Sequence, residues 1–78
     1  MKYVANPVEV DAYRIVLVTP VPGDGLKLDL DNTEQVFPTA EMMSRMTPKE
    51  GDYWVIQSDG YIYLNPKDVF ERKYHLKS

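Results

Sequence analysis

The stretch that decides the fold is GDYWVIQSDGYIYLNPKDVFERKY, residues 51–74. Tyr53 to Gln57 and Tyr61 to Leu64 are rich in aromatic and β-branched residues, the composition of strands, and Ser58-Asp59-Gly60 between them is turn chemistry. Two hairpin registers are open. A two-residue Asp59-Gly60 turn sets Ile56 opposite Tyr63, whereas a three-residue loop with Gly60 left-handed sets Ile56 opposite Ile62 and Trp54 opposite Leu64. The second sorts the faces better, because register follows the face that must be buried. It gathers Trp54, Ile56, Ile62 and Leu64 on an apolar face and leaves Tyr53, Val55, Gln57, Tyr61 and Tyr63 on the other. After the hairpin, Asn65-Pro66-Lys67-Asp68 reads as a helix start: Asn65 caps, Pro66 takes the first helical position and Asp68 sits near the positive end of the dipole. Val69 and Phe70 are then expected to pack back on the sheet, with Arg72 and Lys73 in the last turn and Tyr74 to Leu76 extended along an edge.

Working outward, Val8 to Val18 is a strand whose apolar residues change phase. They fall at Val8, Val10 and Ala12, then at Tyr13, Ile15 and Leu17, which suggests a bulge near Ala12 and Tyr13. Thr19 to Gly25, with two prolines and two glycines, reads as a loop. Leu26, Leu28 and Leu30 alternate with Lys27, Asp29 and Asp31, the pattern of a strand buried on one face. Asp31-Asn32 turns the chain into a second arm, Glu34 to Phe37. Pro38 ends that arm, Thr39 is placed to cap a helix from Ala40 to Met46, and Thr47-Pro48 stops it. The expected fold is α+β: one small domain over residues 1–78, with a twisted, mainly antiparallel sheet of four or five strands, open to partial closure as a half-barrel, and one or two short helices.

Composition narrows the function classes. With 78 residues, the chain buries only about 60% of its unfolded surface, so one core must use most of its apolar residues. The 44% hydrophobic content is too high for a disordered tail. No cysteine is present, which excludes disulfide scaffolds and thiolate metal knuckles. The single histidine, His75, excludes histidine-pair metal sites and reads as exposed and non-catalytic. Ser44, Ser58 and Ser78 lie in a helix, a turn and the terminus, so no nucleophile elbow forms. Asp29 and Asp31, with Asp24 and Glu34 near, match no cation-wrapping loop and read as the wet side of a strand. Gly23-Asp24-Gly25 lacks the residues of a phosphate loop. An enzyme is therefore not expected, nor a cofactor or a metal.

The formal charge is −3, which argues against bulk electrostatic coating of nucleic acid. Charge is uneven, however: residues 1–63 carry five cations against ten acids, and residues 64–78 carry four cations against two. No apolar run approaches membrane-spanning length and residues 1–7 hold no long apolar h-region, so a soluble, cytosolic product is expected. Six tyrosines, two phenylalanines and one tryptophan are many for this length. Tyr61 and Tyr63, with Tyr53, form a candidate stripe on one sheet face, and Arg72 and Lys73 a candidate basic surface. Such tyrosines pack under a helix or across a barrel mouth, anchor protein partners or stack bases; between the two binding roles, the acids Glu50, Asp52 and Asp59 beside this stripe favour protein.

Pro48 to Tyr74, with Gly51-Asp52-Tyr53-Trp54-Val55-Ile56, Asp59-Gly60-Tyr61, Leu64-Asn65-Pro66-Lys67-Asp68 and Phe70-Glu71-Arg72-Lys73-Tyr74, resembles a group of small bacteriophage and prophage proteins. These also open with a strand similar to Pro7-Val8-Glu9-Val10-Asp11-Ala12. The resemblance covers residues 5–18 and 48–74 and leaves the middle unmatched. It implies a viral setting, the cytoplasm of an infected bacterial host, and carries over no catalytic or binding residue. The function expected is that of a non-enzymatic phage accessory protein that binds a host factor or another phage component. The alternatives are a nucleic-acid or nucleoprotein binder using the tyrosine face and the basic end, and a minor structural protein of the virion.

Overall fold

The computed structural model describes residues 2–5, 8–23 and 25–76, and for residues 4, 5, 8, 75 and 76 the backbone alone. The expectations for Asp24 and Ser78 and for the His75 side chain lie outside the described residues. The elements are β1 (Lys2–Ala5), β2 (Val8–Val21), β3 (Gly25–Leu30), β4 (Gln35–Val36), α1 (Ala40–Arg45), β5 (Tyr53–Gln57), β6 (Ile62–Asn65), α2 (Lys67–Lys73) and β7 (His75–Leu76). The architecture is α+β: an antiparallel sheet that does not close, with two short helices. Among the described residues seven strands pair rather than four or five, because β1, β4 and β7 add short antiparallel partners at the margins.

The organising element is β2, fourteen residues long. β1 pairs with its residues 8–11 and β5 with its residues 10–14, so Val10 and Asp11 have a neighbour on each edge. β3 takes over along residues 15–21. The change of apolar phase in β2 has a different origin from the one expected. No bulge occurs at Ala12 and Tyr13; the ladder with β5 runs unbroken from Val10 to Arg14. Instead both faces of the sheet are covered here. Val10 and Ala12 belong to one core cluster, with Tyr53, Val55, Phe70 and Tyr74. Tyr13 and Ile15 join the other, with Trp54, Leu28 and Leu30. The bulge lies at Val16, between the pairs Ile15–Leu30 and Leu17–Asp29. One extra residue there returns Val18 to the side of Ile15 and leaves Val16 and Leu17 exposed.

β2 also continues through Pro20 to Val21, into the segment expected to be loop. From Leu17 onward β3 is its one partner strand among the described residues, an edge where a proline is tolerated. The β3–β4 hairpin forms as its pattern implies, with Leu28 opposite Val36 and Thr33 at positive φ in the turn. Thr39 caps α1: its Oγ1 accepts from the Met42 N–H at 3.1 Å.

The 51–74 segment adopts the three-residue loop, with Ile56 opposite Ile62 and Trp54 opposite Leu64 and Gly60 at φ +91°. Its helix start departs from expectation. Asn65 ends β6 opposite Tyr53, and no side chain of the flanking Pro66 caps the helix. Asp52 does so from across the fold: its Oδ1 accepts from the Lys67 N–H at 3.0 Å, and its Oδ2 from the Lys49 N–H at 3.1 Å. α2 then lays Phe70 on the β5 face, where its ring stacks between Tyr53 (4.1 Å) and Tyr74 (4.8 Å), with Tyr3 edge-on at 4.9 Å. Val69, expected to pack with Phe70, is exposed. β7 pairs with β1, which makes the chain's last described residues an edge.

Candidate functional site

Among the described residues β6 pairs with β5 alone and is therefore a sheet edge. Around it lies an open groove of about 960 Å³. Its lining takes in Phe37, Met42 of α1 and Met46 just past that helix, and Val69, Lys73 and Tyr74 from α2 and its end. Met42 and Leu64 pack against the Trp54 cluster and Tyr63 against the Phe70 cluster, so the groove crosses the strand edge from one face of the sheet to the other. Among the described residues six large apolar side chains are exposed, and four of them, Phe37, Tyr61, Ile62 and Val69, line this one groove. Scattered exposed apolar residues are ordinary; a convergent set is the mark of an interaction site.

Local structure explains each placement. Gly60 turns the hairpin, and Asp59 Oδ1 accepts from the Tyr61 N–H at 3.0 Å, which sets where Tyr61 leaves the loop. The Tyr61 ring stacks on Tyr63 at 5.9 Å. Its hydroxyl accepts from Arg45 Nη1 at 2.9 Å, and Arg45 also reaches Glu41 across one turn of α1 at 3.3 Å. The hydrogen bond to Tyr61 and the nearby Glu41 charge hold Arg45 firmly protonated, above its ordinary pKa. Tyr63 is half-buried, its hydroxyl 3.3 Å from that of Tyr74; burial first, then this hydrogen bond, push its pKa up to about 12. The Lys73 ammonium lies 5.5 Å from the centroid of the Tyr74 ring, a cation–π distance.

Comparison with protein-family models, with curated proteins and with solved structures found no match. The site's own geometry is thus what bears on function.

Of the five residues that the sequence offers for binding, Tyr61, Tyr63 and Lys73 come together in the groove. Tyr53 does not: it is 5% exposed, its ring is stacked under Phe70, and its hydroxyl donates to Glu71 Oε2 at 2.8 Å. The tyrosine face is covered by α2, which turns the candidate stripe into core at Tyr53 and leaves it accessible only toward Tyr61. Arg72 is exposed on α2, donates to the Asp68 carbonyl at 3.1 Å and is not among the groove residues. Sequence reasoning missed Phe37, Arg45, Ile62 and Val69. Met42 and Met46 carried a signal, since methionines at helical spacing suit adaptable surfaces; Phe37 before Pro38 carried none. Among the described residues no cluster of three or more His, Asp or Glu is placed to hold a metal ion. No described helix is long and apolar enough to cross a membrane.

Proposed function

We propose that this chain is a non-enzymatic accessory protein of a phage or prophage that works by binding another protein, a host factor or a second phage component, through the groove beside β6. The observation that carries this reading is the convergence of Phe37, Tyr61, Ile62 and Val69 on one surface. Phe37 is 62% exposed and Tyr61 46%. Rigid aromatic side chains of this kind concentrate interface energy. The Met42 and Met46 side chains beside them add a deformable wall.

The test is capture of partners from lysate of a bacterial host, before and after infection, by tagged wild-type protein and by a Phe37→Ser/Tyr61→Ser variant. Both substitutions are at exposed positions, so thermal unfolding is expected to stay close to wild type. Loss of the proteins captured by wild type supports the groove; retention of the same set by a folded variant rejects it.

A further inference from the structure

The backbone of β6 says more about the partner than its side chains do. Gln57 N–H donates to the Tyr61 carbonyl at 2.8 Å, so that carbonyl and, along the same ladder, the backbone polar groups of residues 63 and 65 face β5. In an antiparallel ladder the intervening residues, Ile62 and Leu64, turn theirs the opposite way. No described strand lies on that side. The groove therefore has two backbone N–H and two C=O groups along its floor, flanked by apolar side chains from both faces of the sheet. A helix cannot satisfy such a row; an extended chain can.

Charge narrows the occupant further. The chain carries −3 overall, yet the charged residues lining the groove are Arg45 and Lys73 against Glu41, a net of +1 with Arg45 and Glu41 paired to each other. Arg45 stands beside Tyr61 and Lys73 beside Tyr74, whose hydroxyl meets that of Tyr63, so a cation flanks β6 on each side. A second copy of this chain laid edge to edge sets one net-positive lining against another, which like-charge repulsion opposes.

Resting on the reading of the groove as a protein-binding site, we propose that its occupant is an extended segment of a different protein, apolar at alternate positions and acidic at its flanks, which adds to the sheet as a strand paired with β6.

The probe is a library of ten-residue peptides with valine, isoleucine, leucine or threonine in the central positions and two aspartates at each end. Its control is the same library ending in lysines. Backbone amide exchange reads the contact: on binding, the amides of Ile62 and Leu64 gain protection, while those of residues 63 and 65, already bonded to β5, change little. The lysine-ended library is expected to bind at least about tenfold more weakly. Ile62→Pro and Ile62→Ala both remove the apolar side chain, but only the proline removes the outward N–H, and it leaves the β5 ladder intact. Ile62→Pro is expected to bind about tenfold more weakly than Ile62→Ala. Equal affinities overturn strand pairing, as does the absence of any aspartate-ended peptide that protects residues 62 and 64. Protection of those two amides in the free protein at high concentration, together with a dimer in sedimentation, overturns it in favour of a second copy. Should strand pairing fail while Phe37→Ser/Tyr61→Ser still abolishes capture, the groove remains the binding site and only the mode of binding is wrong.

Discussion

The Asp52 carboxylate accepts the backbone N–H of Lys67 at 3.0 Å and thereby fastens the start of α2 to the segment that leads into β5. Its other oxygen holds the Lys49 N–H at 3.1 Å, and the residue is 1% exposed. Asp52 is the one described polar residue in the core, and it is satisfied on both oxygens. Two segments fifteen residues apart are tied by one side chain. The groove depends on this tie, because α2 supplies Val69 and Lys73 to one wall.

Asp52→Ala is accordingly expected to lower stability by about 2–4 kcal/mol, since it leaves two N–H groups without their acceptor and removes a helix cap. Asp52→Asn keeps one acceptor oxygen and turns an NH2 toward the other N–H, so it falls between wild type and alanine. Urea midpoints of the three proteins check the order. A midpoint for alanine within about 0.5 kcal/mol of wild type rejects the cap.

Gly60→Ala tests the hairpin loop. Gly60 has φ +91°, and an added Cβ would meet nothing within 4 Å. The cost is then backbone strain alone, about 1 kcal/mol. An unchanged denaturation midpoint would mean that the loop holds another conformation in solution.

Trp54 lies between Tyr13 and Leu64 in the sheet and is 7% exposed. Trp54→Ala is expected to cost about 3–5 kcal/mol. Its indole reports the same packing optically: near-ultraviolet circular dichroism of wild type should show a fixed Trp environment that disappears with the main unfolding transition. Loss of less than about 1 kcal/mol contradicts a core position.

Alkaline pH should weaken the fold through Tyr63. Its phenol is held neutral up to about 12 in the folded protein, by burial and by the Tyr74 hydroxyl, against about 10 in the unfolded chain. Between these values the unfolded state has released a proton that the folded state retains, so stability falls as pH rises from about 10 toward 12. Burial and the hydrogen bond to Glu71 raise the Tyr53 pKa as well, which acts in the same direction. Urea midpoints measured from pH 8 to 11.5 should decline from about pH 10, and more gently in Tyr63→Phe. A flat profile, or one equally steep in the variant, contradicts this account.

Much of the fold follows from short-range rules acting on neighbouring residues. Thr39 caps a helix because its hydroxyl reaches the Met42 N–H three residues on. Leu28 and Leu30 are buried because a strand sends alternate side chains to one face. Gly60 turns the hairpin because glycine alone takes positive φ without strain, and the burial of Trp54 with Leu64 then selects the register.

What tertiary structure decided was which faces are covered. Periodicity reports that a face is apolar; it does not report that a tyrosine-rich face lies under a helix. Tyr53 therefore stood as a candidate binding residue, with burial under a helix left open, and is core, held there by Phe70 at 4.1 Å. The same limit explains β2, where burial on both faces of Val10 to Ile15 imitates the phase change of a bulge that lies at Val16. The cap of α2 was hidden for a related reason, since the local candidate Asn65 is committed to β6 and the acceptor comes from Asp52. The groove is hidden in sequence altogether: Phe37, Arg45, Ile62 and Val69 sit on four separate segments, and their meeting depends on how two helices flank one strand edge. Residues near in sequence declare their local conformation; proximity between distant segments exists only once the chain has packed.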